Sequence, residues 1–177
     1  DAARLLRTRG AAMQDAVPVG VGAMAALLGL DFVTAQTVAQ EAAQGQVCQA
    51  ANDNDPSQVV VSGHKDAVER AVEIAKEKGA KRALLLPVSA PFHCDLMAPA
   101  AEIMAGALDD TTLAAPAVPL VANVTAAAVS DPKTIKSQLV AQVTGPVRWR
   151  ESVGVIAAPG GAEIWESGGG KGAGRGQ

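Results

Sequence analysis

Apolar positions along the chain change period several times, and each change marks an element. Residues 2–16 bring Leu5, Leu6, Ala12, Met13 and Ala16 near one face of a helix that Pro18 ends. Val19 to Leu28 is a run of small and apolar residues that predicts a buried strand. Asp31 is placed to cap a helix reaching about Ala43, with Gly45 as its stop. Gln46 to Ala51 predicts a short strand, Asn52-Asp-Asn-Asp-Pro56 a turn, and the β-branched run Gln58 to Ser62 another strand. From Lys65 to Lys78 the period is helical, with Val68, Ala71, Val72 and Ala75 as the stripe and Gly79 closing it. Lys81 to Leu86 is the last strand of this group. The order strand, helix, strand, strand, helix, strand over 18–88 is the split βαβ pattern of ferredoxin-like folds.

Beyond residue 88 the pattern changes. Asp95 to Leu108 and Pro132 to Val143 read as helices, Val118 to Val121 as a short buried strand, and a further helix begins near Arg148. Ala162 to Trp165 predicts a final short strand, and Gly168 to Gln177 a mobile Gly-rich tail. These elements supply too few strands for a sheet of their own. They read as the completion of a larger layered α/β domain into which 18–88 is inserted.

Composition narrows the function classes. Of 177 residues, 49% are hydrophobic, enough for a packed core and against global disorder. A net charge of −3 leaves no basic footprint for nucleic acid. Cys48 and Cys94 form no metal or disulfide pattern and suit a reducing compartment, and neither a spanning segment nor a secretory signal is visible. The acidic turn lacks the Gly and Glu of an EF-hand, and Gly170-Lys171 lacks the Ser or Thr and the context of a P-loop. The chain opens at Asp1 inside a predicted helix, as though taken from something longer.

The segment Pro87-Val-Ser-Ala-Pro-Phe-His-Cys-Asp-Leu-Met97 stands out. It puts His93 on a strand-to-helix corner stiffened by Pro87 and Pro91. An imidazole on a stiff corner can move protons near neutral pH, or it can merely cap and pack. Cys94, beside it, reads as a small apolar filler, because neighbours on an extended segment point apart. Arg4, Arg7 and Arg9 share the first helix. Arg9 faces differently from Arg7, and it is either a surface cation or a planar fork for a carboxylate.

Taken together, Arg9-Gly-x-x-Met-Gln14, Gln58-Val-Val-Val-Ser-Gly63, the His93 segment, Asn123-Val and Gln142-Val-Thr-Gly-Pro-Val-Arg-Trp149 closely resemble the bacterial malonyl-CoA:acyl-carrier-protein transacylases of fatty acid synthesis. The likeness covers about residues 1–168, in the family's order. It implies a partial α/β-hydrolase-like acyltransferase subdomain, 1–17 and 89–168, with a ferredoxin-like α+β subdomain, 18–88, inserted in it, and a tail at 169–177. It implies malonyl transfer from CoA to the phosphopantetheine thiol of an acyl carrier protein through a malonyl-serine, by a cytoplasmic monomer with no metal or cofactor beyond its substrates. His93 matches the base, Gln142 the residue whose backbone carbonyl orients it, and Arg9 the grip on the malonyl carboxylate. A ligand lacking that carboxylate would leave a buried guanidinium unpaired, at a cost of roughly 3–5 kcal/mol. Asn54 and Asn123, with Asn52, are candidates to line the pocket, although turn formation accounts equally for Asn52 and Asn54. Lys81, Arg82 and Arg148 are candidates to meet an acidic carrier protein.

The chain departs from the family in two places. No Gly-His-Ser-x-Gly elbow is present, and Gly169 stands where the family's C-terminal Gly-Pro-Gly-Lys has proline. The expectation is therefore an incomplete acyltransferase, inactive alone, whose nucleophile lies upstream. Two alternatives remain at this point. One is an acyltransferase domain of a polyketide synthase. The other is a non-catalytic ferredoxin-like binding module, for which Arg9 and His93 need not face one cleft.

Overall fold

The computed structural model describes residues 1–158. Its elements run α1 Ala2–Asp15, β1 Gly22–Leu28, α2 Phe32–Ala43, β2 Cys48–Asp55, β3 Gln58–His64, α3 Lys65–Glu77, β4 Arg82–Leu85, a 3₁₀ turn Asp95–Met97, α4 Ala98–Asp109, β5 Leu120–Ala122, β6 Ala127–Val129, α5 Pro132–Thr144 and α6 Trp149–Ala157. The fold is mixed α/β. Strands β1 to β4 form one antiparallel sheet in the order β2-β3-β1-β4, the ferredoxin-like arrangement the split βαβ pattern predicts.

The two faces of this sheet have different uses, and the period of two in β1 separates them. Ala25 and Leu27 point toward α2 and α3, where they join Val38, Val59, Val61, Val68 and the alanines of both helices in one fully packed core. Small side chains let the helices lie close on the sheet. Each buried Val or Leu contributes about 1.5–3 kcal/mol. Met24, on the opposite face, packs with Ala51, Val60 and Phe92, the neighbour of His93. A third cluster joins α1, α4 and α5 through Met13, Ala90, Met97, Met104, Leu108 and Val143. Gly22, at the start of β1, closes the seam. A Cβ there would overlap the ring of the buried Pro91, with Pro91 Cδ 2.6 Å away.

Capping follows the sequence. Asp31 and Asp131 accept from the amides of Thr34 and Thr134 at 2.7 and 2.8 Å. At the end of α2, Gln44 takes a left-handed φ of 45°, followed by Gly45 at 86°.

Several boundaries differ from the sequence reading. The first strand begins at Gly22, because Pro18 to Val21 forms a turn closed by Val21 N–H to Pro18 C=O at 3.1 Å. Leu6 on α1 is exposed, so the buried face of that helix centres on Ala12 and Met13. The strand near Val118 begins at Leu120, which is exposed, and its buried residue is Ala122. It pairs with β6, which the sequence pattern did not reveal. The expected strand at 162–165 and the tail lie outside the described residues.

The largest difference is at Asn52 to Asp55, where β2 continues through the expected turn. Irregularities in its pairing with β3 between Ala50 and Asn52, and again between Asp53 and Asp55, absorb the polar residues. The outer edge of β2 is also paired. Val147 N–H donates to Ala51 C=O at 2.7 Å, and Asp53 N–H donates to Val147 C=O at 2.8 Å. The buried Asp53 carboxylate receives Arg150 in a two-pronged ion pair, Nε to Oδ1 at 3.0 Å and Nη2 to Oδ2 at 2.7 Å. Two segments 97 residues apart make this strand out of turn-forming chemistry.

Asp53→Asn, which keeps the shape but removes the charge, is expected to lower stability by about 1–3 kcal/mol, since one partner is buried while the guanidinium is partly solvated. Urea denaturation monitored by circular dichroism measures this. An unchanged midpoint would mean that the pair contributes nothing to the seam.

Candidate active site

The corner carrying His93 is built by short backbone bonds rather than by regular structure. Leu86 N–H reaches Met24 C=O at 2.8 Å, tying the end of β4 to β1. Val88 N–H to Leu86 C=O at 2.9 Å and Phe92 N–H to Ala90 C=O at 3.1 Å then bend the chain tightly. Pro91 and Cys94 are buried, and the Cys94 thiol donates to Pro91 C=O at 3.2 Å. Burial raises the Cys94 pKa and pushes that of Cys48 up to about 11, so both thiols stay protonated and act as apolar filler. His93 lies between Phe92 and Cys94 with φ 58°, left-handed backbone that few residues other than glycine adopt. That conformation turns its side chain away from the two neighbours that pack inward.

The imidazole Nδ1 lies 3.2 Å from the backbone oxygen of Gln142. A carbonyl can only accept, so Nδ1 carries the hydrogen and Nε2 keeps a free lone pair. Gln142 stands in the last turn of α5. Its side-chain amide donates to Gly145 and Pro146 carbonyls, both at 3.2 Å, folding the loop that follows the helix back over its end. The negative end of α5 therefore faces the imidazole.

Burial lowers the His93 pKa, and the positive charge of Arg9 lowers it further; the Gln142 carbonyl, with a smaller contribution from Gly145, opposes this. The balance keeps the ring neutral at pH 7, the form a general base requires. Arg9 is half-buried on α1 while Arg4 and Arg7 are exposed, as the helical period suggested. Among the described residues Arg9 has no hydrogen-bond or carboxylate partner. An uncommitted guanidinium close enough to act on His93 is a ready site for an anion.

His93 opens on a cleft of about 850 Å³ between α2, the start of β2 and the turn before α6. Phe32, Gln36 and Gln40 of α2 line it, together with Asp95, Thr144, Pro146 and Arg148. Arg9 is outside this lining. Asn54 and Asn123 do not line the cleft either. Asn54 lies near the hairpin end of β2, and Asn123 Oδ1 accepts from Arg148 N–H at 3.1 Å, fixing the start of α6. Arg148 lines the cleft, but its guanidinium is engaged by Glu151 and by Thr125 C=O at 2.9 Å; Lys81, just before β4, and Arg82, its first residue, are outside the lining. Sequence reasoning missed Gln49. Its amide exchanges two bonds with Asp95, 2.9 Å to the carboxylate and 2.8 Å from the Asp95 N–H, pinning the His93 corner to β2. No sequence signal pairs residues 46 apart. Among the described residues no cluster of His, Cys, Asp and Glu could hold a metal ion, and no helix is long and apolar enough to cross a membrane.

A sequence profile described as the acyl transferase domain matches residues 1–164. The chain belongs to the acyl transferase domain family. It is 49% identical to the malonyl CoA-acyl carrier protein transacylase of Salmonella typhimurium over 171 residues, 97% of this chain and 55% of that protein. Its fold matches the crystal structure of an acyl-carrier-protein S-malonyltransferase from Bartonella henselae with a TM-score of 0.86 and 57% identity, covering 89% of this chain and 50% of that one. It also matches a malonyl-transacylase in complex with a type II polyketide-synthase acyl-carrier protein, with a TM-score of 0.85 and 45% identity over 88% of this chain and 50% of that one. The chain thus spans about half the length of the acyl transferases it resembles.

His93 is expected to titrate below the ordinary histidine value of 6.5. Since its folded pKa is the lower one, it contributes stability that is fully present above about pH 6.5 and is lost as the pH falls toward the folded value. Proton and nitrogen NMR of the two histidines, assigned with His93→Gln, checks both the midpoint and the hydrogen on Nδ1. A His93 midpoint at or above 6.5 would contradict this reading.

Proposed function

We propose that this chain is part of an [acyl-carrier-protein] S-malonyltransferase, moving malonyl from CoA to the phosphopantetheine thiol of an acyl carrier protein in fatty acid synthesis. The observation that carries the reading is the His93–Gln142 pair, an imidazole held in its Nδ1–H form by a neutral carbonyl. Residues 18–88 act as the small subdomain and 1–17 with 89–168 as part of the large one, a division supported by their separate cores.

In this reading the nucleophile is a serine in a Gly-His-Ser-x-Gly elbow, a motif absent from these 177 residues. Its hydroxyl oxygen attacks the thioester carbonyl while His93 Nε2 takes the hydroxyl proton. Collapse of the tetrahedral intermediate breaks the carbon–sulfur bond, and the imidazolium returns the proton to the departing CoA sulfur. The carrier thiol then attacks the malonyl-serine, giving its proton to Nε2, and the serine oxygen leaves and recovers it. The end of α5 favours the transient imidazolium without a second buried charge. Arg9 holds the free malonyl carboxylate, which gives malonyl its advantage over acetyl. The reaction needs no metal and no cofactor beyond CoA and phosphopantetheine, and the enzyme works as a cytoplasmic monomer. Likeness to a partner of a type II polyketide-synthase carrier protein leaves polyketide synthesis as a second setting for the same transfer.

The test joins this chain to the nucleophile-bearing portion of the Salmonella relative and follows acyl-serine formation by mass spectrometry. His93→Ala is expected to slow malonylation by about 10²–10⁴-fold. Arg9→Ala is expected to remove most of the preference for malonyl over acetyl, about 10²–10³-fold. The 177-residue chain alone is expected to take no label from malonyl-CoA. Malonylation of a serine in that chain, or full activity without His93, would overturn the proposal.

A further inference from the structure

The Gln142 carbonyl that holds His93 is available because of what lies four residues on. In α5 each carbonyl is taken by the N–H four residues later, and the last such bond runs from Gly145 N–H to Ala141 C=O at 2.8 Å. The next would run from residue 146 to Gln142. Residue 146 is proline and has no N–H to give. Val147 N–H, the next donor, is already bound to Ala51 C=O at 2.7 Å on β2. Every donor that could reach Gln142 C=O from its own chain segment is thus absent or committed, and His93 Nδ1 at 3.2 Å is its partner. Proline also restricts the residue before it. Gly145 leaves the helix in extended conformation, φ −81° and ψ 157°, ending α5 where its carbonyl end meets the imidazole.

We infer that Pro146 is a positioning residue: by lacking an N–H it leaves the Gln142 carbonyl free to hold His93 in the Nδ1–H form with Nε2 open to the cleft. Without the proline restriction Gly145 can continue the helix, and an amide N–H at 146 would then extend the α5 ladder by one bond and share that carbonyl. The imidazole bond would weaken, and the ring would drift toward its Nε2–H form, which has no lone pair facing the substrate. The inference rests on the proposed role of His93 for its meaning, but its test reads the ring itself and needs no turnover.

Nitrogen NMR of the 177-residue chain compares the wild type, Pro146→Ala, and a semisynthetic chain with lactate at position 146. The lactate residue forms an ester that has the alanine side chain and, like proline, no N–H. Pro146→Ala is expected to lose Nδ1–H occupancy at His93, and to lower the His93 midpoint further, since the Gln142 bond acts to raise it. The lactate chain is expected to recover both. Overturning results are Nδ1–H occupancy and midpoint unchanged in Pro146→Ala, or losses of equal size in the alanine and lactate chains, which would assign the effect to the proline ring. If Pro146→Ala unfolds, recovery of fold and tautomer in the lactate chain still supports the inference, and failure of the lactate chain to recover them refutes it. A wild-type ring in the Nε2–H form would refute the base assignment itself, a different outcome from either.

Discussion

The capture of Val147 by the outer edge of β2 is the contact on which the site depends. β2 is the last strand of the sheet, and an unpaired strand edge carries a row of backbone groups seeking partners. Val147 fills two of those positions, and Arg150 neutralises the buried Asp53 beside them. This seam fixes the end of α5 against the sheet. The same sheet, through Met24 and Val60 on the face opposite α2 and α3, holds Phe92, while Gly22 makes room for Pro91. His93 and Gln142 are 49 residues apart in the chain and meet because both are anchored to one rigid sheet.

The electrostatics of the pair follow from the same arrangement. A buried imidazole beside a guanidinium favours its neutral form, and a carboxylate partner would reverse that preference. A helix carbonyl supplies a weaker acceptor that sets the tautomer and leaves the ring neutral. Its direction is set by the backbone of α5, so it needs no side-chain rotamer to be held. The Gln142 side chain, in turn, closes the loop carbonyls of Gly145 and Pro146, so one residue shapes the site through both its backbone and its amide.

Much of the frame was legible in the sequence because its signals are local. The stripe of α3, the Asp31 cap, the Gly45 stop and the strands around Val59 and Ala83 require only neighbouring residues and a period. The His93 corner was legible through its two prolines, and the orientation of Arg9 through the turn of α1. Asn52 to Asp55 was not legible. Its composition is that of a turn, and only pairing with Val147 and Arg150, both near the other end of the chain, makes it a strand. The exposed Leu6 and the β5–β6 hairpin belong to the same class, since which side of a short apolar run is covered depends on what packs there.

The sequence by itself determined the order of elements, the residue types able to move a proton or bind a carboxylate, and the likeness that places the chain among acyl transferases. Only the tertiary structure decided that His93 meets the backbone of Gln142, that Arg9 lies close enough to depress its pKa, and that Asn54 and Asn123 are not among the residues lining the cleft. The physical reason is range. Helical period, capping and turn chemistry act over a few residues and are written in the local sequence. A backbone carbonyl has the same chemistry at every position, so which one is left free for an imidazole depends on where the folded chain ends a helix and what lies against it.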